Sequence, residues 1–548
     1  MKKKNQFIIF VSLVVIFIAV CVNWALKEER NSNLDIRLQN KVSEEDREYA
    51  VSASHPLAVE VGLKVLDEGG NAVDAAVAVS YALAVVEPYA SGLGGGGEML
   101  VYKEGETPFL QQYREIAPLS SKKLKTESGI PGFVKGMEEI HQAEGDLPFE
   151  SIMNHIIPLA EEGIEVDSEL EYRLKTALKS RIDKSEATPF FIDGRPIEEG
   201  DKLVQKELAE TLRIIRDEGV EAFYHGALTD SFADQHVEFE RSDFGKYTSQ
   251  RMEAIKGEFM GYDVWSAAPP FSGLSVIQTL QMTEEVLEDR KLDNEVDFIQ
   301  AVGEMSKIAY EERLYNIGDL DYTDIDMDEL TSKEYSRQLL KEHELKDIFS
   351  SSQVNDTEAE MKDYAHTTHF VIMDKDGMTV SATNSLGNFF GTGEYMKEGF
   401  FLNNALTNYS KNKKSPNSFE PGKRPRSFIS PTILMNEDEI IGIGSPGGRR
   451  IPAVITQTLL YHLLWGDSLQ EAVERPRFYM ENKEIQMESK FEKDTYSGLQ
   501  EEGYNVILNH SASYFGSVQA LSLNKHDFSI DGAADPRRIG LWESKSKK

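Results

Sequence analysis

The sequence predicts an α+β layered sandwich, with antiparallel sheets covered by helices. Three observations carry that prediction. Residues 148–354 are acidic and alternate amphipathic helices with loops. After Thr367 the pattern changes to short strands, turns and few helices. Two glycine-rich loops, residues 91–97 and 442–448, allow close backbone approach. No internal repeat is present.

The elements follow in chain order. Ala50-Val51-Ser52-Ala53-Ser54 reads as a first strand. His55-Pro56 starts a helix, because proline suits the first turn, and Gly69-Gly70 ends it. Asn71 caps a second helix over residues 72–87, whose Ala and Val content marks it as buried. The glycine run that follows lacks the Gly-Lys-Ser/Thr ending of a phosphate loop, so it reads as a tight turn packed beneath a site. Met99-Leu100-Val101-Tyr102 is a strand, and residues 129–134 turn into another helix. Ala268-Pro269-Pro270-Phe271-Ser272-Gly273 interrupts the helical region. His366-Thr367-Thr368-His369 reads as the end of a polar linker, and Phe370-Val371-Ile372-Met373 as a buried strand. Asp374-Lys375-Asp376-Gly377 has the Asp-Gly signature of a hairpin turn, with Thr379–Thr383 returning. The second glycine loop opens a helix over residues 451–464.

Composition bounds the function. The chain has 548 residues, 40% hydrophobic and 28% charged, which is ordinary for a soluble globular body. One cysteine excludes an intrachain disulfide framework and a multi-cysteine metal site. The net charge of −34 argues against nucleic acid, whose phosphates need basic surface. Residues 1–6 form a cytoplasmic basic flank, and residues 7–26 carry no charge over a length that spans a bilayer as a helix. That span reads as an uncleaved anchor, with a cleaved signal peptide as the rival reading. Cys21 sits in a lipoprotein-like Ile18-Ala19-Val20-Cys21, but Val20 is large for that box. Residues 27–48 are a polar linker to an extracytoplasmic, cell-surface body.

A threonine between a loose linker and a core strand is where a self-cleaving N-terminal nucleophile would sit. Cutting His366–Thr367 would give Thr367 a free α-amine with a pKa of about 7.7–8.0. That amine can serve as general base for the adjacent hydroxyl. Taken alone, the signal is weak, because Thr-Thr before a strand is usually just β-propensity.

Other stretches decide. Ser54-His55-Pro56-Leu57-Ala58, Gly69-Gly70-Asn71-Ala72-Val73-Asp74, Ser91-Gly92-Leu93-Gly94-Gly95-Gly96, Tyr113-Arg114-Glu115, Pro269-Pro270-Phe271-Ser272-Gly273, Thr367-Thr368-His369-Phe370, Leu402-Asn403-Asn404, Ser445-Pro446-Gly447-Gly448 and Asp535-Pro536-Arg537 stand in one order along the body. Together with Gly132-Phe133-Val134 and Phe390-Gly391-Thr392-Gly393 they resemble the γ-glutamyltranspeptidase family of N-terminal-nucleophile hydrolases. Within it the chain looks most like the capsule poly-γ-glutamate depolymerases, which are surface enzymes.

The resemblance implies a four-layer αββα sandwich and autocleavage before Thr367. It implies a large subunit, 49–366, and a small catalytic subunit, 367–548, paired as an intertwined heterodimer. By position, Thr367 is the nucleophile, Ser385 supports it, and the amides of Gly447 and Gly448 form the oxyanion hole. Arg114 matches the arginine that holds a glutamyl α-carboxylate, a role that suits a bidentate guanidinium. Asn408 stands where glutathione-type relatives carry an acid that pairs with a free α-ammonium. Inside a γ-linked polymer that nitrogen is an uncharged amide. Ala405 and Gly387 replace polar contacts, and Phe428 replaces the second of two serines while Ser427 keeps the first.

A basic run, Lys411, Lys413, Lys414, Lys423, Arg424 and Arg426 against Glu420, with Arg449 and Arg450 beyond, suggests steering or subsite binding of a polyanion, Arg426 included. The expected activity is transfer of γ-linked polyglutamate to water or a cell-wall amine, with no metal or organic cofactor. The rivals are a glutathione-type γ-glutamyltransferase or hydrolase and an inactive surface polymer-binding protein.

Overall fold

The computed structural model describes residues 46–179, 181–182, 188–236, 238–343, 366–481 and 483–546. The expected span at 7–26, nearly all of the linker after it, and residues 344–365 lie outside the described residues. Among the described residues no helix is long and apolar enough to cross a membrane.

Two antiparallel sheets organise Glu48–Lys545, which form one compact unit. Their strands are β1 (Glu48–Ala53), β2 (Gly96–Tyr102), β3 (Phe109–Gln112), β4 (Gln250–Glu253), β5 (Ile255–Phe259), β6 (Tyr262–Ser266), β7 (His366–Met373), β8 (Thr379–Gly387), β9 (Thr432–Met435), β10 (Glu439–Gly444), β11 (Gln519–Asn524), β12 (Ile530–Ala534) and β13 (Leu541–Ser546). The seven-stranded sheet runs β13-β1-β7-β8-β2-β3-β4, and the six-stranded sheet β12-β11-β10-β9-β6-β5. Strands from before and after Thr367 share both sheets, so the two halves are interleaved.

Strand periodicity explains the layers. Successive side chains of β7 point to opposite faces. Phe370 and Ile372 join one core with Val380 and Ala382 of β8, under α1 (Pro56–Asp67) and α2 (Ala72–Val86). Val371 and Met373 join the other core, with Ile433, Ile441 and Ile443 of the facing sheet. That sheet is covered by α3 (Gly273–Asp289) and α5 (Ile451–Trp465), with α4 (Glu295–Asn316) packed on α3. Each of these Val, Ile, Phe and Met side chains contributes roughly 1.5–3 kcal/mol by leaving water. The order helix, sheet, sheet, helix is the αββα layering expected.

Local chemistry sets the helix that backs the site. Asn71 accepts from Val73 N and Asp74 N and forms a capping box with Asp74. All of α2 is buried, as its Ala and Val sequence requires. Its first amide, Ala72 N, donates to Asp374 Oδ2 at 2.9 Å. The same carboxylate takes Asp376 N and Met378 N, so the β7–β8 turn is tied to the start of α2.

Three boundaries differ from the sequence reading. His366–His369 belong to strand β7 rather than to the end of a linker. Strand β2 begins inside the glycine run, at Gly96. The stretch read as helical between residues 148 and 354 contains β4, β5 and β6, which enter both sheets. Their alternation is short; Ile255–Phe259 buries every second residue, and the Met260-Gly261 turn follows at once.

Candidate active site

Thr367 lies on β7 opposite Ser385 of β8. A β-bulge falls between His366 and Thr367: His366 pairs with Gly387, and Leu386 is skipped. Bulges interrupt a ladder and re-aim side chains, and here one coincides with the bond expected to break. Thr367 Oγ1 is 3.3 Å from Ser385 Oγ, which also accepts from Gly387 N at 2.9 Å. Thr367 is buried, and Arg538 Nη1 donates to its carbonyl at 3.0 Å.

The next two residues are fixed as firmly. Thr368 Oγ1 and Ser54 Oγ are 2.5 Å apart, and Ser54 Oγ donates to Glu87 Oε2 at 2.9 Å. Tyr89 OH donates to the other oxygen of Glu87 at 3.0 Å. His369 is fully buried, with Nδ1 2.8 Å from Thr383 Oγ1. Burial holds its imidazole down at about 3, so it is neutral at working pH and serves as packing.

The first glycine run lies beneath this pair. A Cβ on Gly95 would stand 2.4 Å from Ser385 O, and one on Gly97 2.3 Å from Thr383 O. Any side chain there would push β8 away from β2. Asn403 clamps the run from outside, donating from Nδ2 to Gly94 O at 2.7 Å and to Gly129 O at 2.8 Å. Asn404 N donates to Leu386 O at 2.9 Å, which draws the turn at Ala405–Asn408 up to the end of β8. Gly387, at φ +88°, faces Asn404 Oδ1, where a Cβ would be 2.2 Å away.

The second glycine loop leaves the facing sheet in the direction of Thr367. A Cβ on Gly442 would meet Val371 at 2.6 Å, and one on Gly444 would meet the His369 ring at 2.2 Å. Each two-residue step along β10 thus moves two residues back along β7, towards Thr367. Gly447 and Gly448 have φ of +148° and +56°, which non-glycine residues rarely adopt. Ser445 braces the loop: its Oγ accepts from Ser517 N at 3.1 Å and donates to Pro446 O at 2.6 Å.

The expected substrate-binding residues come together on one side. Ser385 pairs with Gly96, and a Cβ on Gly96 would meet the Glu115 carboxylate at 3.0 Å. Two strand spacings of about 4.8 Å put this edge roughly 10 Å from Thr367. Arg114 Nη1 donates to Glu115 Oε2 at 2.7 Å, and its Nε and Nη2 to the carbonyls of Pro425 and Arg426 at 3.2 and 3.3 Å. Burial pushes the Glu115 carboxyl up, against the opposing pull of Arg114. Asn417 links the rest, donating to Asn408 O at 2.6 Å and accepting from Arg426 N at 2.9 Å. Ser427 is buried, its Oγ accepting from Ile429 N at 3.3 Å.

Arg426 departs from expectation. It is fully buried, with Nη1 donating to the carbonyls of Arg313 and Leu314 at 2.9 and 2.8 Å. It braces the chain behind Arg114 and is no part of a solvated basic patch. Lys423 and Arg424 are buried too, paired with Glu420 at 2.9 Å and Asp321 at 3.1 Å. Phe428 lies under the Arg313 guanidinium at 3.8 Å, which explains an aromatic ring there.

Sequence reasoning missed Arg538 as a contact of Thr367, although Asp535-Pro536-Arg537 stands beside it. It also missed Ser54 and Glu87 as the support of Thr368. Only the fold joins such distant positions, and no spacing in the chain signals them.

A buried threonine on a central strand of stacked sheets, beside a serine and with a positive-φ glycine loop following a strand of the facing sheet, has the layout of an N-terminal-nucleophile hydrolase. A cephalosporin acylase from Bacillus halodurans superposes with a TM-score of 0.81 at 25% identity, covering 91% of this chain and 96% of that one. The γ-glutamyltranspeptidase family profile matches residues 58–543. The capsule biosynthesis protein CapD proenzyme of Bacillus anthracis is 42% identical over 496 residues, 90% of each chain. The glutathione hydrolase proenzyme of Bacillus subtilis is 32% identical, over 89% of this chain and 90% of that one. The chain therefore belongs to the γ-glutamyltranspeptidase family. Its activity is γ-glutamyl hydrolysis and transfer.

Proposed function

We propose that the chain cuts itself between His366 and Thr367 and then cleaves γ-linked polyglutamate at the new N-terminus. The freed α-amine takes the proton of Thr367 Oγ1 as that oxygen attacks the γ-glutamyl carbonyl. The amides of Gly447 and Gly448 carry the oxyanion, which is worth most in a dry site. The leaving amine takes the proton, and a Thr ester of the glutamyl chain remains. Water then releases a shorter polymer, or an amine on the cell wall takes the chain. Arg114 holds the α-carboxylate, Ser385 orients the nucleophile, and Asn408 and Ser427 line the glutamyl pocket.

One observation carries the polymer reading. Asn408 puts a neutral side chain on the turn that faces the Arg114 side of the site. A free γ-glutamyl amino acid brings an ammonium that a carboxylate would bind. An internal polymer residue brings an uncharged amide instead, so a carboxylate there would meet no cation and would repel the α-carboxylates of the polymer. The likeness to a protein named for capsule biosynthesis supports the same reading, and the name proenzyme on that relative supports self-cutting.

The two products, whose folded subunits are 49–366 and 367–548, stay together as a heterodimer, because both sheets take strands from each. The body is held outside the membrane by residues 7–26, a reading that rests on their length and lack of charge and on Lys2-Lys3-Lys4 before them. The likeness to a glutathione hydrolase proenzyme favours a second reading, hydrolysis of small γ-glutamyl compounds. Comparing kcat/KM on poly-γ-glutamate and on glutathione separates the two. A higher value on glutathione would overturn the polymer reading.

A further inference from the structure

The basic run after Tyr409 divides in the folded chain. Its later members, Lys423, Arg424 and Arg426, are buried and tied to carboxylates or carbonyls. Lys411 and Lys413 are exposed, and the fold brings Lys122 and Lys123 to them from a segment far earlier in the chain. The four lysines line one open groove of about 620 Å³, in which Glu127 is the single acidic lining residue. Among the described residues, the ion pairs of this region take Lys125 to Glu238 and Lys423 to Glu420, and none involves these four. Such a concentration of positive charge stands out on a chain of net charge −34.

One wall of the groove is built by the turn next to the candidate site. That wall includes Leu406 and Thr407, from the turn that carries Asn408. Asn404, one residue before that turn, is bonded to Leu386 beside Ser385. Leu406 N in turn donates to Glu127 O at 3.0 Å, joining the two lysine-bearing segments.

We propose that this groove is a distal binding track for a polycarboxylate whose reacting residue lies at Thr367. Resting on the polymer reading above, its occupant is the outlying part of a γ-linked polyglutamate chain. That polymer has one free α-carboxylate per repeat, which matches a row of lysines. A small γ-glutamyl compound fills the pocket at Thr367 and leaves the track empty. The track therefore raises the affinity for long chains without touching the reacting bond, and its attraction weakens with salt.

The test uses the full chain with Thr367→Ala to block turnover, and fluorescently labelled poly-γ-glutamate read by anisotropy. Adding K122Q, K123Q, K411Q and K413Q should raise Kd about tenfold or more, as loss of four exposed ion pairs implies. It should also flatten the salt dependence. A control set, K64Q, K202Q, K490Q and K493Q, removes the same charge from other exposed positions and should leave Kd unchanged. With Thr367 intact, the groove variant should keep kcat and KM on a γ-glutamyl anilide, which reports the fold, while KM on the polymer rises. An unchanged Kd in the groove variant, or an equal rise in the control, would overturn the track even if the polymer is cleaved. Groove-dependent binding of a polymer that is never cleaved would sustain the track and overturn the polymer-cleaving reading.

Discussion

Ser385→Ala removes one oxygen from beside the nucleophile. That oxygen stands 3.3 Å from Thr367 Oγ1 and accepts from Gly387 N at 2.9 Å. The first contact is worth a net ~0.5–1.5 kcal/mol, the ordinary value for a hydrogen bond. The second, if lost, leaves a backbone donor without its partner, at a cost of about 1–3 kcal/mol when fully buried. Gly387 is only half-buried, so water covers part of that cost and the lower end applies. Only the first contact touches the reacting oxygen. At 1.36 kcal/mol per factor of ten, kcat should fall roughly three- to tenfold. Stability should fall by about 1–2 kcal/mol, set mainly by Gly387 N. The assay measures kcat, KM, the half-time of self-cutting and the denaturant midpoint on one preparation. Ser385→Thr keeps the oxygen and should restore most of kcat. An expected loss of stability with kcat and self-cutting unchanged would refute the role of Ser385 in orienting the nucleophile.

Other predictions follow from the same geometry. Asn408→Asp should shift preference towards small donors with a free α-amine by at least several-fold; an unchanged ratio of kcat/KM on glutathione and polymer contradicts the argument from charge. Gly447→Ala meets nothing closer than 3.5 Å, but its φ of +148° is closed to alanine. The loop must therefore shift, and kcat should fall about 10²–10³-fold with KM nearly unchanged, the usual cost of losing one oxyanion donor. A wild-type kcat would place the oxyanion donors elsewhere. His369 is held at about 3 by burial, so below pH 6.5 the unfolded chain takes a proton that the folded chain refuses. Stability is thereby lost as pH falls from about 6.5 towards 3, by roughly 3 kcal/mol at pH 4. His369→Gln should remove that loss. Asp374 acts in the opposite sense: burial pushes its carboxyl up to about 6, so its contribution is lost as pH rises from about 4 to 6. Parallel stability curves for the wild type and His369→Gln between pH 6.5 and 4 would show that the ring is not held neutral.

The β7–β8 hairpin was legible because it is written locally. Asp374-Lys375-Asp376-Gly377 specifies the turn, and the apolar run at Phe370 specifies the strand. The caps of α1 and α2 were legible for the same reason, since His55, Pro56 and Asn71 act within one turn. Strands β4, β5 and β6 were less so. Each is four or five residues long, and pairing with distant β3 and β9 fixes them more than their own pattern does. Thr367, Ser385, Gly447 and Gly448 were reached through ordered motifs, and the register of β7 on β8 brings the first two together. Arg426 was misread because a charge in a basic run resembles a solvated one until its neighbours are known. The backbone carbonyls of Arg313 and Leu314, which receive it, have no sequence signature. Lys122 and Lys123 were not connected with Lys411 for a like reason, since only the folded chain makes them neighbours.

The central claim is that Thr367 becomes the N-terminus and does the chemistry. The most direct measurement is a denaturing gel of the purified chain, with N-terminal sequencing of any smaller band, beside the Thr367→Ala variant. The account predicts bands of about 41 and 20 kDa, in proportion to 366 and 182 of the 548 residues of a 61.7 kDa chain. The smaller should begin Thr367-Thr368-His369-Phe370, and the variant should give one uncut, inactive band. A γ-glutamyl-cleaving chain that stays whole, or a Thr367→Ala protein that is still cut at this bond, would contradict it.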